Sequence, residues 1–322
     1  MEKLGCMCSR QGACLTKIKT SIPSWMKNIS PETIGFPIEL DRSLYTKEKG
    51  IIYKETDQGE LALDAYLPVL DSPEPRPGVV MIHGGGWHRG GRFQMGLTHW
   101  AGYLASAGLC VFSIDYRLAP ETTYPDSFKD CLDAIDYVVH HAETFDLDPE
   151  RIGLWGDSAG GHLVLLAGSS QTRSDFTGPK MRTKPGSLKA VVAWYPPTDL
   201  EALHQAERRV HTGSTTTARF VGSEPSEQPE QWKEVSPIEQ VHAHSPPCLI
   251  LQGTGDFLVP TDQATRYEAR AREEGAAVEL HVVEGAPHGF DRLAPGDEGR
   301  RLVVRSREFL VEALMETPSR VG

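Results

Sequence analysis

From about residue 50 onward, short apolar runs alternate with stretches whose apolar positions recur at helical spacing. Ile51-Ile52-Tyr53-Lys54 and Leu61-Ala62-Leu63-Asp64-Ala65-Tyr66-Leu67 read as two strands joined around Asp57-Gln58-Gly59, an antiparallel hairpin. Gly78-Val79-Val80-Met81-Ile82 and Leu109-Cys110-Val111-Phe112-Ser113-Ile114 are apolar without alternation, as strands covered on both faces are. The same holds for Arg151-Ile152-Gly153-Leu154-Trp155, for residues 188–195, for Cys248-Leu249-Ile250-Leu251-Gln252 and for residues 278–283. Helices are predicted between them. One runs from about Gly96 to Ala107 and stops at Gly108. A second runs from about Asp126 to Ala142, with Phe128, Leu132, Ile135 and Val139 on one face. Others cover His162 to about Gly168, Asp262–Glu274 and Asp297–Glu316. Strand–helix alternation of this kind predicts an α/β fold, a mostly parallel central sheet with helices on both faces.

Two segments break the rhythm. Residues 1–45 are polar and mixed, with Pro23, Pro31 and Pro37, and read as an N-terminal arm or cap segment preceding the α/β domain at 46–322. Trp25, Met26, Ile29 and Phe36 give that arm apolar groups that can pack on the domain. Residues 197–246 contain no clear strand and read as a helical, lid-like insertion over the strand ends.

Composition narrows the function classes. The chain has 322 residues, 39% hydrophobic and 24% charged, with a net charge of −11. That balance is ordinary for a globular domain, and its sign argues against nucleic acid and anionic membrane surfaces as partners. No apolar stretch reaches membrane-spanning length, and the first residues lack a continuous apolar leader core, so a cytoplasmic protein is expected. Of six cysteines, Cys110, Cys131 and Cys248 sit in apolar patterns and read as small buried hydrophobes, whereas Cys6, Cys8 and Cys14 cluster near the N-terminus. No metal-ligand spacing accompanies them, and no nucleotide-binding glycine loop is present, so neither metal nor cofactor is expected.

The candidate chemistry lies in one turn. Gly156-Asp157-Ser158-Ala159-Gly160-Gly161 follows an apolar strand and runs into a helix. In this Gly-x-Ser-x-Gly pattern the glycines leave room for a sharp strand-to-helix turn that exposes the serine hydroxyl. His83-Gly84-Gly85-Gly86-Trp87 follows the strand ending at Ile82. Its glycines leave backbone N–H groups unshielded, and acyl transfer needs such donors for its oxyanion. Gly85 and Gly86 are the expected donors, with Ala159 as the third. A serine nucleophile also needs a base and an orienting acid. His288 follows the last predicted strand, and Asp256 follows the strand ending at Gln252. The chain order Ser158, Asp256, His288 is that of an α/β-hydrolase. Asp262, Glu284, Asp157 and Asp199 are weaker candidates for the acid: they fall in a following helix, too close to the histidine, beside the nucleophile, or after the wrong strand. His162 reads as structural, and His242 and His244 as surface residues. Trp87, Tyr195, Phe257 and Phe290 flank the predicted site as candidate substrate-binding aromatics, alongside Trp194.

With these pieces in place, the chain resembles the hormone-sensitive-lipase-like branch of the α/β-hydrolase esterases. The resemblance rests on His83-Gly84-Gly85-Gly86, Asp115-Tyr116-Arg117-Leu118-Ala119-Pro120-Glu121, Gly156 to Gly161 and His288-Gly289-Phe290, and spans roughly residues 78–292. It implies hydrolysis of a small-molecule carboxylic ester without a cofactor, a cap over the acyl pocket, and a structural role for Asp115, Tyr116 and Arg117 in bracing the oxyanion loop and elbow. Trp87 after the glycines, Gly160-Gly161-His162-Leu163 and Ser236-Pro237-Ile238 are also similar to bacterial acetyl-xylan and feruloyl-type esterases. Those relatives often begin near the Ile51 hairpin, so residues 1–45 depart from their pattern. The expectation is a short-chain serine carboxylesterase, with carbohydrate acetyl or feruloyl esters, or amides, as alternative substrates. A non-catalytic binding protein on this fold would typically lack a triad member, and all three are present here. Exposed sheet edges make a homodimer possible.

Overall fold

The computed structural model describes residues 37–69, 72–94, 96–171, 183–184, 186–210, 212–292 and 296–315. Cys6, Cys8, Cys14 and most of the expected N-terminal arm lie outside these residues. The described chain begins with a turn and a short 3-10 segment, Arg42–Leu44, whose entry is capped by Asp41 accepting from the Ser43 N–H at 2.9 Å.

An eight-stranded sheet forms the centre, in the order β1-β2-β4-β3-β5-β6-β7-β8. The strands are β1 (Tyr45–Thr56), β2 (Gly59–Pro68), β3 (Arg76–Ile82), β4 (Cys110–Ile114), β5 (Leu147–Asp157), β6 (Leu188–Trp194), β7 (Cys248–Gly253) and β8 (Val278–Val283). The β1–β2 hairpin is antiparallel and β2 joins β4 antiparallel; the remaining neighbours pair parallel. The hairpin is longer than its apolar run. Lys47, Glu48 and Lys49 extend β1 as a charged edge, with a register break between Glu48 and Ile51 where Gly50 takes a positive φ of 69° and donates its N–H to Asp64. Charges and a bulge are common protection for an exposed edge.

Helices cover both faces, as the alternation predicts. One face carries α1 (Leu97–Ala105) and α9 (Gly296–Met315), which bury Trp100, Leu104, Leu302 and Leu310 against Val79, Met81, Val111 and Trp155. The other carries α2 (Asp126–His140) and α3 (Ala159–Ser169), which bury Phe128, Ile135, Leu163 and Val164 against Val80, Ile82, Phe112 and Leu154. Successive strand residues thus feed opposite cores, the period-two rule of a pleated strand. Helix α3 is buried on every side, which is why its sequence shows no polar face. Cys110, Cys131 and Cys248 are buried free thiols, and burial pushes Cys110 and Cys248 up to about 12.

Between β6 and β7 the chain forms α4 (Leu200–Val210), α5 (Thr216–Val221), α6 (Pro229–Glu234) and α7 (Pro237–Gln240), with no strand among the described residues. Helix α8 (Asp262–Glu273) then returns the chain to β8. This helical segment is fastened to the main domain by aromatic packing: Phe220 stacks on Trp87 with centroids 4.7 Å apart and meets the His162 ring edge-on. No described helix is long and apolar enough to cross a membrane.

Candidate active site

The loops after β3, β5, β7 and β8 all leave the sheet at its carboxyl edge, where open α/β sheets place their ligand sites. The loop after β5 is the sharpest. Ser158 holds φ 53° and ψ −120°, a conformation a non-glycine residue adopts only when its surroundings impose it. Its N–H is tied to the Trp194 carbonyl at 2.8 Å, and its own carbonyl accepts the first intrahelical bond of α3 from His162. The flanking glycines are required by space. A Cβ on Gly160 would lie 2.0 Å from the Ile82 carbonyl oxygen, and one on Gly156 would lie 2.4 Å from the Gly160 carbonyl oxygen. The turn therefore lifts the Ser158 hydroxyl out of the sheet at the start of α3.

His288 and Asp256 complete a hydrogen-bonded line. The Ser158 Oγ is 2.9 Å from His288 Nε2, and His288 Nδ1 is 2.7 Å from Asp256 Oδ2. The Asp256 side chain is fully withdrawn from solvent, and its other oxygen accepts the N–H groups of Leu258 and Val259, both at 2.9 Å. An ionised carboxylate only accepts, so the imidazole carries its proton on Nδ1 and presents a bare Nε2 to the serine. The Tyr195 ring, held at φ 39°, packs 4.5 Å from the imidazole and limits its rotation.

The donors come from two directions. Ala159 opens α3, and a first-turn amide has no intrahelical acceptor. Gly85 and Gly86 have positive φ values of 125° and 60°, and their N–H groups meet no acceptor among the described residues. The curl is tight: a Cβ on Gly85 would sit 2.0 Å from the Arg89 carbonyl oxygen. Together with Ser158 and His288 these residues line a cavity of about 310 Å³, walled further by His88, Arg89, Gln94, Leu203, Glu207 and Thr216. Such an arrangement can deprotonate a hydroxyl, aim it at a carbonyl and receive the resulting oxyanion.

The BD-FAE family model matches residues 63–270 of this chain. The chain belongs to the BD-FAE family. It is 30% identical over 258 residues to the esterase LipC of Mycobacterium tuberculosis, covering 77% of this chain and 61% of LipC, so it spans less than two thirds of that relative. Among solved structures, it resembles a truncated carbohydrate esterase from gut microbiota (TM-score 0.73, 25% identity, 87% of this chain and 100% of that one). It also resembles the propionate-bound esterase Est2 of the Planctomycetes species Thermogutta terrifontis (TM-score 0.67, 29% identity, 86% and 97%).

In this BD-FAE chain the four aromatics expected to bind substrate sort differently from one another. Trp87 reaches the cavity but is 3% exposed, its indole N–H donating to His162 Nδ1 at 3.2 Å. Tyr195 backs the imidazole and sends its hydroxyl to Asp291, away from the cavity lining. Phe290 is core, packed on Trp194, and Phe257 is 67% exposed; neither lines the cavity. The wall is built instead by Leu203, Glu207 and Thr216 of the insertion, by Leu258 and Val259, and by Arg292. Spacing alone gave no signal for these, because a helical insertion brings its side chains to the site only through tertiary packing. The bracing residues divide too. Tyr116 stacks on His83 and donates to its carbonyl, and Asp115 accepts the Arg92 N–H, whereas Arg117 pairs with Asp130 of α2. Of the rejected acids, Asp199 pairs with Arg266 and Asp262 opens α8. His242 is half-buried and donates to the Ser169 carbonyl, so only His244 is exposed.

His162 has a measurable consequence. It is fully buried, accepts from Trp87 on Nδ1 and donates from Nε2 to the Val235 carbonyl at 2.7 Å. Burial pushes it down to about 4. The unfolded ring titrates near ~6.5, so between these values the unfolded chain binds a proton that the folded chain refuses. Stability is therefore full above pH ~6.5 and falls as the pH drops toward 4, by up to about 3 kcal/mol. Burial of His83 acts with the same sign. Urea unfolding between pH 7 and 4.5 should show this loss, and His162→Gln, which keeps a donor and an acceptor, should flatten the slope. An unchanged slope in that variant would contradict the assignment.

Proposed function

We propose that this chain is a serine carboxylesterase that hydrolyses short-chain acyl esters through an acyl-enzyme on Ser158. The reading rests on the continuous line from Ser158 Oγ through His288 to Asp256, at 2.9 and 2.7 Å. The ester carbonyl enters with its oxygen toward the N–H groups of Gly85, Gly86 and Ala159. Ser158 attacks as His288 Nε2 takes its proton, and Asp256 stabilises the imidazolium. The imidazolium gives that proton to the departing alcohol, leaving the acyl group on Ser158. Water then enters, loses a proton to His288 and releases the acid, restoring the serine. A cavity of about 310 Å³ edged by charged side chains favours a small acyl group over a long chain.

A second reading concerns the alcohol. Glu207 accepts from the Thr217 N–H and Oγ–H on the same oxygen, at 3.1 and 2.6 Å, leaving Oε1 for a ligand donor. Arg89, also on the cavity wall, forms no ion pair among the described residues. Two such groups suit an alcohol bearing hydroxyls, in line with the likeness to a carbohydrate esterase. p-Nitrophenyl esters from acetate to decanoate, run beside an acetylated xylo-oligosaccharide, test both readings. Turnover should peak at two to four carbons, and acetate should be released from the sugar. A rate that climbs to decanoate contradicts the short-chain reading, and a sugar ester left intact contradicts the second.

A further inference from the structure

The carboxylate beside the nucleophile is not idle. Asp157 precedes Ser158, and its side chain is 4% exposed. Its Oδ1 accepts the N–H of Gly84, the residue before the two donor glycines, at 2.9 Å. Its Oδ2 accepts from Arg292 Nη2 at 2.7 Å. Arg292 leaves the same loop as His288, and its other nitrogen lies 3.4 Å from Asp291. Asp291 is in turn held by the Tyr195 hydroxyl at 2.5 Å and the Trp100 indole N–H at 2.9 Å. The glycine that opens α1 closes over this arginine: a Cβ on Gly96 would lie 2.8 Å from Arg292 Cδ. One guanidinium–carboxylate pair therefore joins the oxyanion loop, the serine turn and the histidine loop.

We propose that Arg292 is a positioning residue for the oxyanion loop, acting through Asp157. The inference rests on the esterase reading above. Arg292 performs two tasks. It fixes the Asp157 carboxylate so that Oδ1 stays on the Gly84 N–H, which sets where the next two amides point. It also cancels a negative charge that lines the reaction cavity, where the oxyanion develops. Removing one partner of a nearly buried ion pair leaves the other charge uncompensated. Misaligned or electrostatically opposed donors cost transition-state stabilisation and not ground-state binding.

The test is a double-mutant cycle of Arg292→Met, Asp157→Asn and the two together on p-nitrophenyl acetate, with an aryl boronic acid as a probe of the tetrahedral state. Arg292→Met should lower kcat by roughly 10- to 100-fold with little change in KM, and weaken boronate binding in proportion. Arg292→Lys keeps the charge and should retain most of the rate. Asp157→Asn together with Arg292→Met should recover most of the loss, because Asn still offers an oxygen to Gly84 without a charge to neutralise, while Asp291 keeps its Tyr195 and Trp100 donors. Losses in Arg292→Met that Asp157→Asn does not relieve, losses that fall on KM, or a rate equal to that of the wild type each overturn the proposal. If Arg292→Met fails to fold, Arg292→Gln takes its place as the neutral variant, and a wild-type kcat in it overturns the proposal. Failure of the esterase reading is separate: it shows in the wild type, as turnover that does not depend on Ser158.

Discussion

Ser158→Ala should reduce ester turnover by about 10⁵- to 10⁶-fold, the scale seen when a nucleophile is removed from a triad that works as a unit. The fold should survive. The Ser158 N–H and carbonyl bonds belong to the backbone, and alanine can hold the same turn as long as Gly156 and Gly160 keep it open. Far-UV circular dichroism and the melting temperature should therefore match the wild type while kcat collapses. Turnover comparable to the wild type in this variant would remove Ser158 from the chemistry.

Asp256→Asn should cost about 10⁴-fold in kcat. The geometry says why so conservative a change is severe. Asp256 Oδ1 already accepts two backbone N–H groups, from Leu258 and Val259. An asparagine must keep its oxygen there and turn its NH₂ toward His288 Nδ1. The imidazole would then accept on Nδ1 and carry its proton on Nε2, where it cannot take one from the serine. Binding of a non-reactive ester analogue should stay within a few-fold of the wild type. A loss of only a few-fold in kcat would mean that the carboxylate does not set the tautomer.

Much of this architecture is written in local pattern. Buried parallel strands lack alternation, so β3 to β7 stand out as apolar runs, and the glycines at 156 and 160 announce a turn that only they can make. The order of serine, aspartate and histidine follows from which strand each loop succeeds. The ends of elements are less visible. Strand β1 runs back through Lys47, Glu48 and Lys49, because an edge strand hydrogen-bonds on one side only, leaving Glu48 and Lys49 in water while Lys47 pairs with Asp64. Strand β5 likewise begins at Leu147, through Asp148, Pro149 and Glu150, before its apolar part.

The cavity wall was legible least of all. An aromatic next to a catalytic motif has two faces to choose from, and sequence does not say which. Phe290 turns into the core beside Trp194, and Phe257 turns out to solvent. Arg292 and Glu207 carry no motif; each reaches the site through the path of its loop or helix. Asp157 sits inside the motif, yet its partners lie on two other loops, at Gly84 and Arg292. Only assembled loops reveal such a contact.

The proposed chemistry stands on Ser158 as the nucleophile. Incubation with a fluorophosphonate, followed by intact and peptide mass spectrometry, tests it most directly. One adduct per chain is expected, located on Ser158, absent from Ser158→Ala, and matched by loss of esterase activity. No adduct, or an adduct on another residue with activity lost in step, would contradict it.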